Sequence, residues 1–297
     1  MPELQCYYYR AKLATGDREV AFEGAARLWD VGFSQDNACD PLFDRWIASR
    51  GPSDDVIWSR ALKAFDAKNG HLIRYVKRFA SVPLQRDLDE LAAVYRRPSR
   101  VAGDHHQSSP RHADILVAGV VRLAQLSPSR AYQTFRSVRE DAAFTDAHVQ
   151  TVTSAIVRHS LFAERSPAPS EWVDAQVGAL RDDDLTVIWL RNAIGNGEWQ
   201  AVLDGIDWLS SDLRSQDRWR YWSARGLESL GEKETQPLWE NLAKERSFHG
   251  FLAADRLSRD YQLNAALPAK PLPAFTASVR LGVGRAQELM ALGDWRQ

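Results

Sequence analysis

Between residues 218 and 257 the chain reads "RWRYWSARGLESLG" and then "FHGFLAADRL", placing Trp219, Tyr221 and Trp222 beside a Glu228-Ser229 pair. Those residue types suit carbohydrate chemistry, because aromatic faces stack on sugar rings and a glutamic acid can donate a proton to a glycosidic oxygen. The same letters also suit a helix. Trp219, Trp222, Gly226 and Leu230 follow one another at steps of three, four and four, a single helical face, with Gly226 admitting a neighbouring helix. Glu228 falls on a different side and has no second carboxylate beside it. Aromatics at helical spacing are more often core than platform, so the stretch reads as packing, while a few of the eleven tryptophans remain open to a role on a concave surface.

Other chemistry-bearing groups are sparse. His105, His106 and His112 share one polar stretch, but no acidic or thiol partner stands at ligand spacing, and no metal is expected. Asp182, Asp183 and Asp184 precede an apolar run from Leu185, which suits a helix start better than a hard cation. Glu171, Glu198 and Glu240 each lie near a tryptophan or a helix start and read as capping or surface residues. A phosphate loop, a nucleotide fingerprint and a Ser/His/Asp order are all missing, so neither a catalytic set nor a cofactor is assigned.

These residues are carried by helices. The 297-residue chain has 38 basic and 39 acidic side chains and a formal charge of −1, which gives no general attraction to nucleic acid. A bilayer-spanning apolar run and a signal peptide are not found within it. Alternating Val/Ile/Thr runs are scarce, and helix formers dominate. Leu116, Val120, Val121, Leu123 and Ala124 keep helical spacing, as do Leu62, Phe65, Leu72, Val76 and Phe79 across a break at Asn69-Gly70. Turns fall at Gly16-Asp17, Ser127-Pro128-Ser129, residues 163–170, Asn196-Gly197 and Gly231. From Pro128 onward they recur roughly every 34–36 residues, the period of stacked helical hairpins. The expected fold is therefore all-α: a right-handed superhelix of stacked antiparallel hairpins, an α-solenoid. Residues 97–112 and 164–171 read as surface loops. Three prolines within six residues, Pro268, Pro271 and Pro273, break the helical run and suggest a boundary.

Taken together, Arg218 to Arg225, Glu245-Arg246, Phe248 to Leu257 and Tyr261 to Asn264 resemble the late superhelical region of the soluble lytic murein transglycosylases. The first forty-odd residues, with both cysteines, resemble an earlier part of that superhelix, and "VRLGVGRAQELMALGDWRQ" is similar to the opening of the family's linker domain. The resemblance implies residues 1–265 as a superhelical domain, 266–297 as the start of the linker domain, and a lysozyme-like catalytic domain outside this chain. It also implies a periplasmic enzyme that cleaves MurNAc–GlcNAc bonds of peptidoglycan to 1,6-anhydromuramoyl products. Its partners would be glycan strands and its own C-terminal catalytic domain, with no nucleic acid and no membrane span. The family's catalytic glutamate stands in a Glu-Ser motif followed by Gly-Leu-Met-Gln. No such segment follows Glu228-Ser229, so the catalytic role is not carried over. A stand-alone helical-repeat adaptor that binds a peptide in its groove is the alternative reading.

The two cysteines are the remaining expectation. In an antiparallel first hairpin, a short loop after residue 32 returns Cys39 toward Cys6, and the exported compartment that the resemblance implies would oxidise the pair. Two unpaired buried thiols are the other possibility.

Overall fold

The computed structural model describes residues 2–103, 109–140, 143–163, 167–263 and 277–292. Among these residues every regular element is helical, and they divide into two compact units, residues 1–214 and 215–297.

The first unit is a succession of antiparallel hairpins. α1 (Pro2–Ala14) turns through Gly16 into α2 (Arg18–Trp29), and α3 (Asp40–Ser49) follows. α4 (Asp54–Asp66) and α5 (Gly70–Val76) form a hairpin against α6 (Val82–Arg96). α7 (His112–Leu126), α8 (Pro128–Val138) and α9 (Asp146–Leu161) come next. α10 (Ser170–Leu180), α11 (Asp183–Asn196), α12 (Trp199–Trp208) and the single turn α13 (Ser211–Arg214) complete the unit. α7 is its centre. It packs on α6, α8 and α9, and Ile115, Leu116, Ala118, Val120, Leu123 and Ala124 are all buried, so it is apolar on more than one face.

Helix starts follow local chemistry. Ser53, Ser81, Thr145 and Asp182 each cap a helix by accepting a backbone N–H. Two hairpins are then tied to the next helix by the same device. Asp54, the first residue of α4, accepts from the amide (3.1 Å) and hydroxyl (2.5 Å) of Ser81. Asp183, the first residue of α11, accepts from the amide (2.8 Å) and hydroxyl (2.6 Å) of Ser210, again 27 residues on. One carboxylate thus sits at its own helix N-terminus and fixes the start of the element beyond the hairpin.

Where helices approach most closely, glycine makes room. A Cβ on Gly24 would lie 2.4 Å from the Tyr9 ring, within the first hairpin. One on Gly119 of α7 would lie 2.1 Å from Val101. That second contact corrects the expectation of a surface loop over 97–112. Residues Pro98–Ala102 form a 3-10 turn in which Pro98 and Val101 are buried against α7. One valine in a polar stretch is enough to dock it.

The second unit contains α14 (Asp217–Ser229), α15 (Gln236–Leu242), α16 (Phe248–Arg256) and α17 (Ala277–Ala291). Its core is Ala224, Trp239, Leu242, Ala243, Ala253 and Ala254, with Tyr221 and Leu257 packed against it. Small alanines let α14, α15 and α16 meet around two large rings. The proline-rich stretch expected to mark a boundary lies outside the described residues over 264–276.

Candidate functional site

The aromatic helix of the opening motif is scaffold for most of its length. Trp219 is 1% exposed and Gly226 is buried, as the helical face requires, while Trp222 is half-buried. Leu230 departs from the expected face. α14 ends at Ser229, so Leu230 occupies the cap position and is 47% exposed. Tyr221 takes the place in the core, its ring meeting Trp222, Trp239 and His249 at 5.3–5.5 Å. His249 is pushed below the usual histidine range, first by burial and then by the Arg218 cation, whose effect Asp217 opposes.

Glu228 is a bridge between helices. Its carboxylate accepts from the Arg256 guanidinium on α16 and stands 3.7 Å from Arg225. Arg256 in turn lies 5.0 Å over the Trp239 ring. Its described charged partners are cations, and Ser229 beside it is exposed. The arrangement joins α14 to α16 and gives no desolvated acid aimed at a cleft.

The other sequence candidates are structural where they are described. Asp182 caps α11 through Leu185 N–H (2.9 Å), and Asp183 grips Ser210, whose hydroxyl and then amide hold the carboxyl below its usual range. Glu240 accepts from Gln236 and Arg259. Glu198 accepts from Asn196, and Glu171 lies in the first turn of α10. His112 opens α7, whereas His105 and His106 lie outside the described residues. Cys6 and Cys39 are joined in a disulfide with Cα atoms 4.9 Å apart, both fully buried. The Asn37–Cys39 turn is held in place by Asp36, which accepts from Ala38 N–H, and by Arg10, which donates to Ala38 carbonyl.

A pair of adjoining grooves beside that disulfide-tied hairpin was not anticipated. The inner one, about 370 Å³, is lined by Trp29, Gln35, Asn37, Asp40, Arg60 and Tyr75, among others. Its neighbour, about 500 Å³, shares Asn69 and His71 and adds Lys68, Arg74, Asp89 and Arg96. Asp89 is the carboxylate in that second lining, and Lys77 already bonds it at 2.6 and 2.7 Å. The floor of the inner groove is Arg60, only 4% exposed, its guanidinium 4.2 Å from the Trp29 ring centroid. Nη2 donates to the Phe33 carbonyl at 3.4 Å, and among the described residues Nε and Nη1 find no acceptor. Burial lowers Arg60 to about 10, so it remains a cation at neutral pH. The clue in the sequence was its register. Arg60 sits three residues after Ile57 and four before Ala64, on the buried face of α4.

No protein-family profile matches the chain. Individual proteins do. It is 26% identical over 265 residues to the soluble lytic murein transglycosylase of Escherichia coli (strain K12), covering 88% of this chain and 41% of that protein. The Salmonella typhimurium protein of the same name is 26% identical over 296 residues, 97% of this chain and 45% of that one. The chain is thus similar in sequence to the soluble lytic murein transglycosylases. Solved structures of such enzymes share its fold. The 70 kDa soluble lytic transglycosylase of Escherichia coli superposes with a TM-score of 0.79 at 24% identity, over 98% of this chain and 48% of that one. An inactive mutant of lytic transglycosylase Slt from Pseudomonas aeruginosa gives 0.75 at 28% identity, over 99% and 48%. The expected class, an all-α superhelix of helical hairpins, is borne out. The chain spans less than half the length of the curated relatives it matches. Among the described residues no helix is long and apolar enough to cross a membrane.

Proposed function

We propose that this chain is the non-catalytic superhelical portion of a periplasmic lytic transglycosylase. It would act as a scaffold that positions peptidoglycan glycan strands for an active site carried elsewhere in the enzyme. In this reading residues 1–265 are the superhelical domain and 266–297, including α17, begin a linker domain. The parent reaction would be the cleavage of MurNAc–GlcNAc bonds to 1,6-anhydromuramoyl products. The enzyme's catalytic domain and the glycan are the partners.

The observation that carries the reading is the position of Glu228. A carboxylate placed between Arg256 and Arg225 in a helix–helix bridge lacks the desolvated cleft that a glycosidic general acid needs. Residues 1–297 purified alone and incubated with sacculi should co-sediment with them and release no anhydromuropeptides. Release of such products that E228Q abolishes would place the chemistry in this chain and overturn the proposal.

A further inference from the structure

We infer that the inner groove around Arg60 is a receptor for a carboxylate, of the kind borne by N-acylated peptidoglycan fragments. The choice of ligand class rests on the function proposed above; the need for an anion does not.

Arg60 is a buried cation whose hydrogen bonds are incomplete. Arg60 is almost wholly buried, yet two of its three guanidinium nitrogens lack acceptors among the described residues. A desolvated cation with unfilled hydrogen bonds is costly for a fold to hold, and proteins normally bond it or replace it. The nearby carboxylate, Asp30, attracts Arg60 without bonding it. Its Oδ2 is taken by Ser59 Oγ (3.0 Å) and Lys63 Nζ (2.6 Å), and its Oδ1 has no hydrogen-bond partner among the described residues. The Trp29 ring centroid lies 4.2 Å from the guanidinium carbon, and the planar fork of an arginine suits a carboxylate.

The groove that opens over Arg60 adds the rest of the ligand's description. Its polar rim includes Asp40 and Asn37, which can accept hydrogen bonds from amide or hydroxyl groups, and Tyr75, 39% exposed, offers a ring face. The adjoining groove brings Lys68, Arg74 and Arg96, so the approach is cationic in a chain whose formal net charge is −1. An acceptor-only ligand would meet Asp40 unfavourably. One that carries a carboxylate together with N–H or O–H donors would not. Both the lactyl acid of a muramyl sugar and the free carboxylate of a stem peptide have that chemistry.

Titration calorimetry on the full chain, with tryptophan fluorescence as a second readout, tests this with three probes. N-acetylmuramic acid and N-acetylglucosamine differ by the lactyl carboxylate, and N-acetyl-D-alanyl-D-alanine represents the peptide source. The muramic acid or the dipeptide should bind at least about tenfold more tightly than N-acetylglucosamine, a difference of about 1.4 kcal/mol. R60M and R60Q should each lose that preference while melting no lower than the parent. Which carboxylate binds identifies the source. Equal binding of the two sugars, binding of no carboxylate probe, or an R60M chain that binds as the parent does would each overturn the inference. Sacculus sedimentation, run in parallel, reports on the scaffold reading separately. Co-sedimentation with sacculi without carboxylate binding removes the receptor and leaves the scaffold standing.

Discussion

Arg60 and Arg256 each lie over a tryptophan, and their surroundings differ. In the second unit Arg256 covers Trp239 and bonds Glu228, so cation, ring and carboxylate form a closed set across α14, α15 and α16. In the first unit Arg60 covers Trp29 more closely and more deeply, with no carboxylate bonded to it. The closed set includes the Glu-Ser letters that first suggested catalysis, whereas the open set lies on a helix that attracted no attention as a site. A charge bonded to its carboxylate holds helices together. One that no carboxylate bonds, kept buried at a cost, points to a ligand.

Four measurements would break or sharpen this contrast, beginning with the largest expected effect. Trp239→Ala should lower stability by about 3–5 kcal/mol, since it empties the centre of a core otherwise made mainly of alanine. Urea unfolding followed by circular dichroism reads this directly. A near-neutral result would mean that the second unit is not held by that ring.

Opening the Cys6–Cys39 disulfide, which closes a loop of sequence separation 33, should cost about 4 kcal/mol in the chain-entropy account. A melting curve with and without dithiothreitol should show the first unit's transition shift downward. An unchanged curve would show that Arg10 and the Asp36 cap suffice to hold the Asn37–Cys39 turn.

The two arginine settings should then respond with opposite signs. Arg60→Met removes a buried charge that no carboxylate bonds and should be neutral or stabilising, by about 1 kcal/mol. E228Q weakens a pair whose side chains are about one-third exposed, and should destabilise by about 0.5–1 kcal/mol after solvent screening. Loss of stability in both variants, measured by chemical denaturation, would erase the distinction between them.

The smallest effect is a pH dependence at His249. Its folded-state affinity for protons is depressed, so the unfolded chain binds more protons just below the ordinary histidine value of 6.5. Stability from this group is complete above that pH and declines as pH falls through 6.5 toward the lowered folded value. In a pH series of melting curves, His249→Phe should flatten the slope in that window. The same slope in the variant would assign it to another group.

Much of this architecture could be read in the sequence because it is local. Gly16-Asp17, Asn196-Gly197 and Gly231 mark hairpin turns where expected, and Asp182 caps the helix it precedes, since caps and turns depend on neighbours within a few residues. Helical periodicity placed Trp219 and Gly226 inside but misplaced Leu230, because period alone does not say where a helix stops. Polar composition likewise hid Val101, whose burial depends on a glycine in α7.

By itself, then, the sequence determined an all-helical chain of hairpins, with two cysteines that a short first hairpin could bring together. Tertiary structure alone decided which charges are matched. Glu228 meets Arg256 across 28 residues, Asp183 meets Ser210 across 27, and the Arg60 groove collects side chains from Trp29 to Tyr75. Electrostatic balance is a sum over neighbours in space, and sequence spacing fixes those neighbours only within a turn or two of helix.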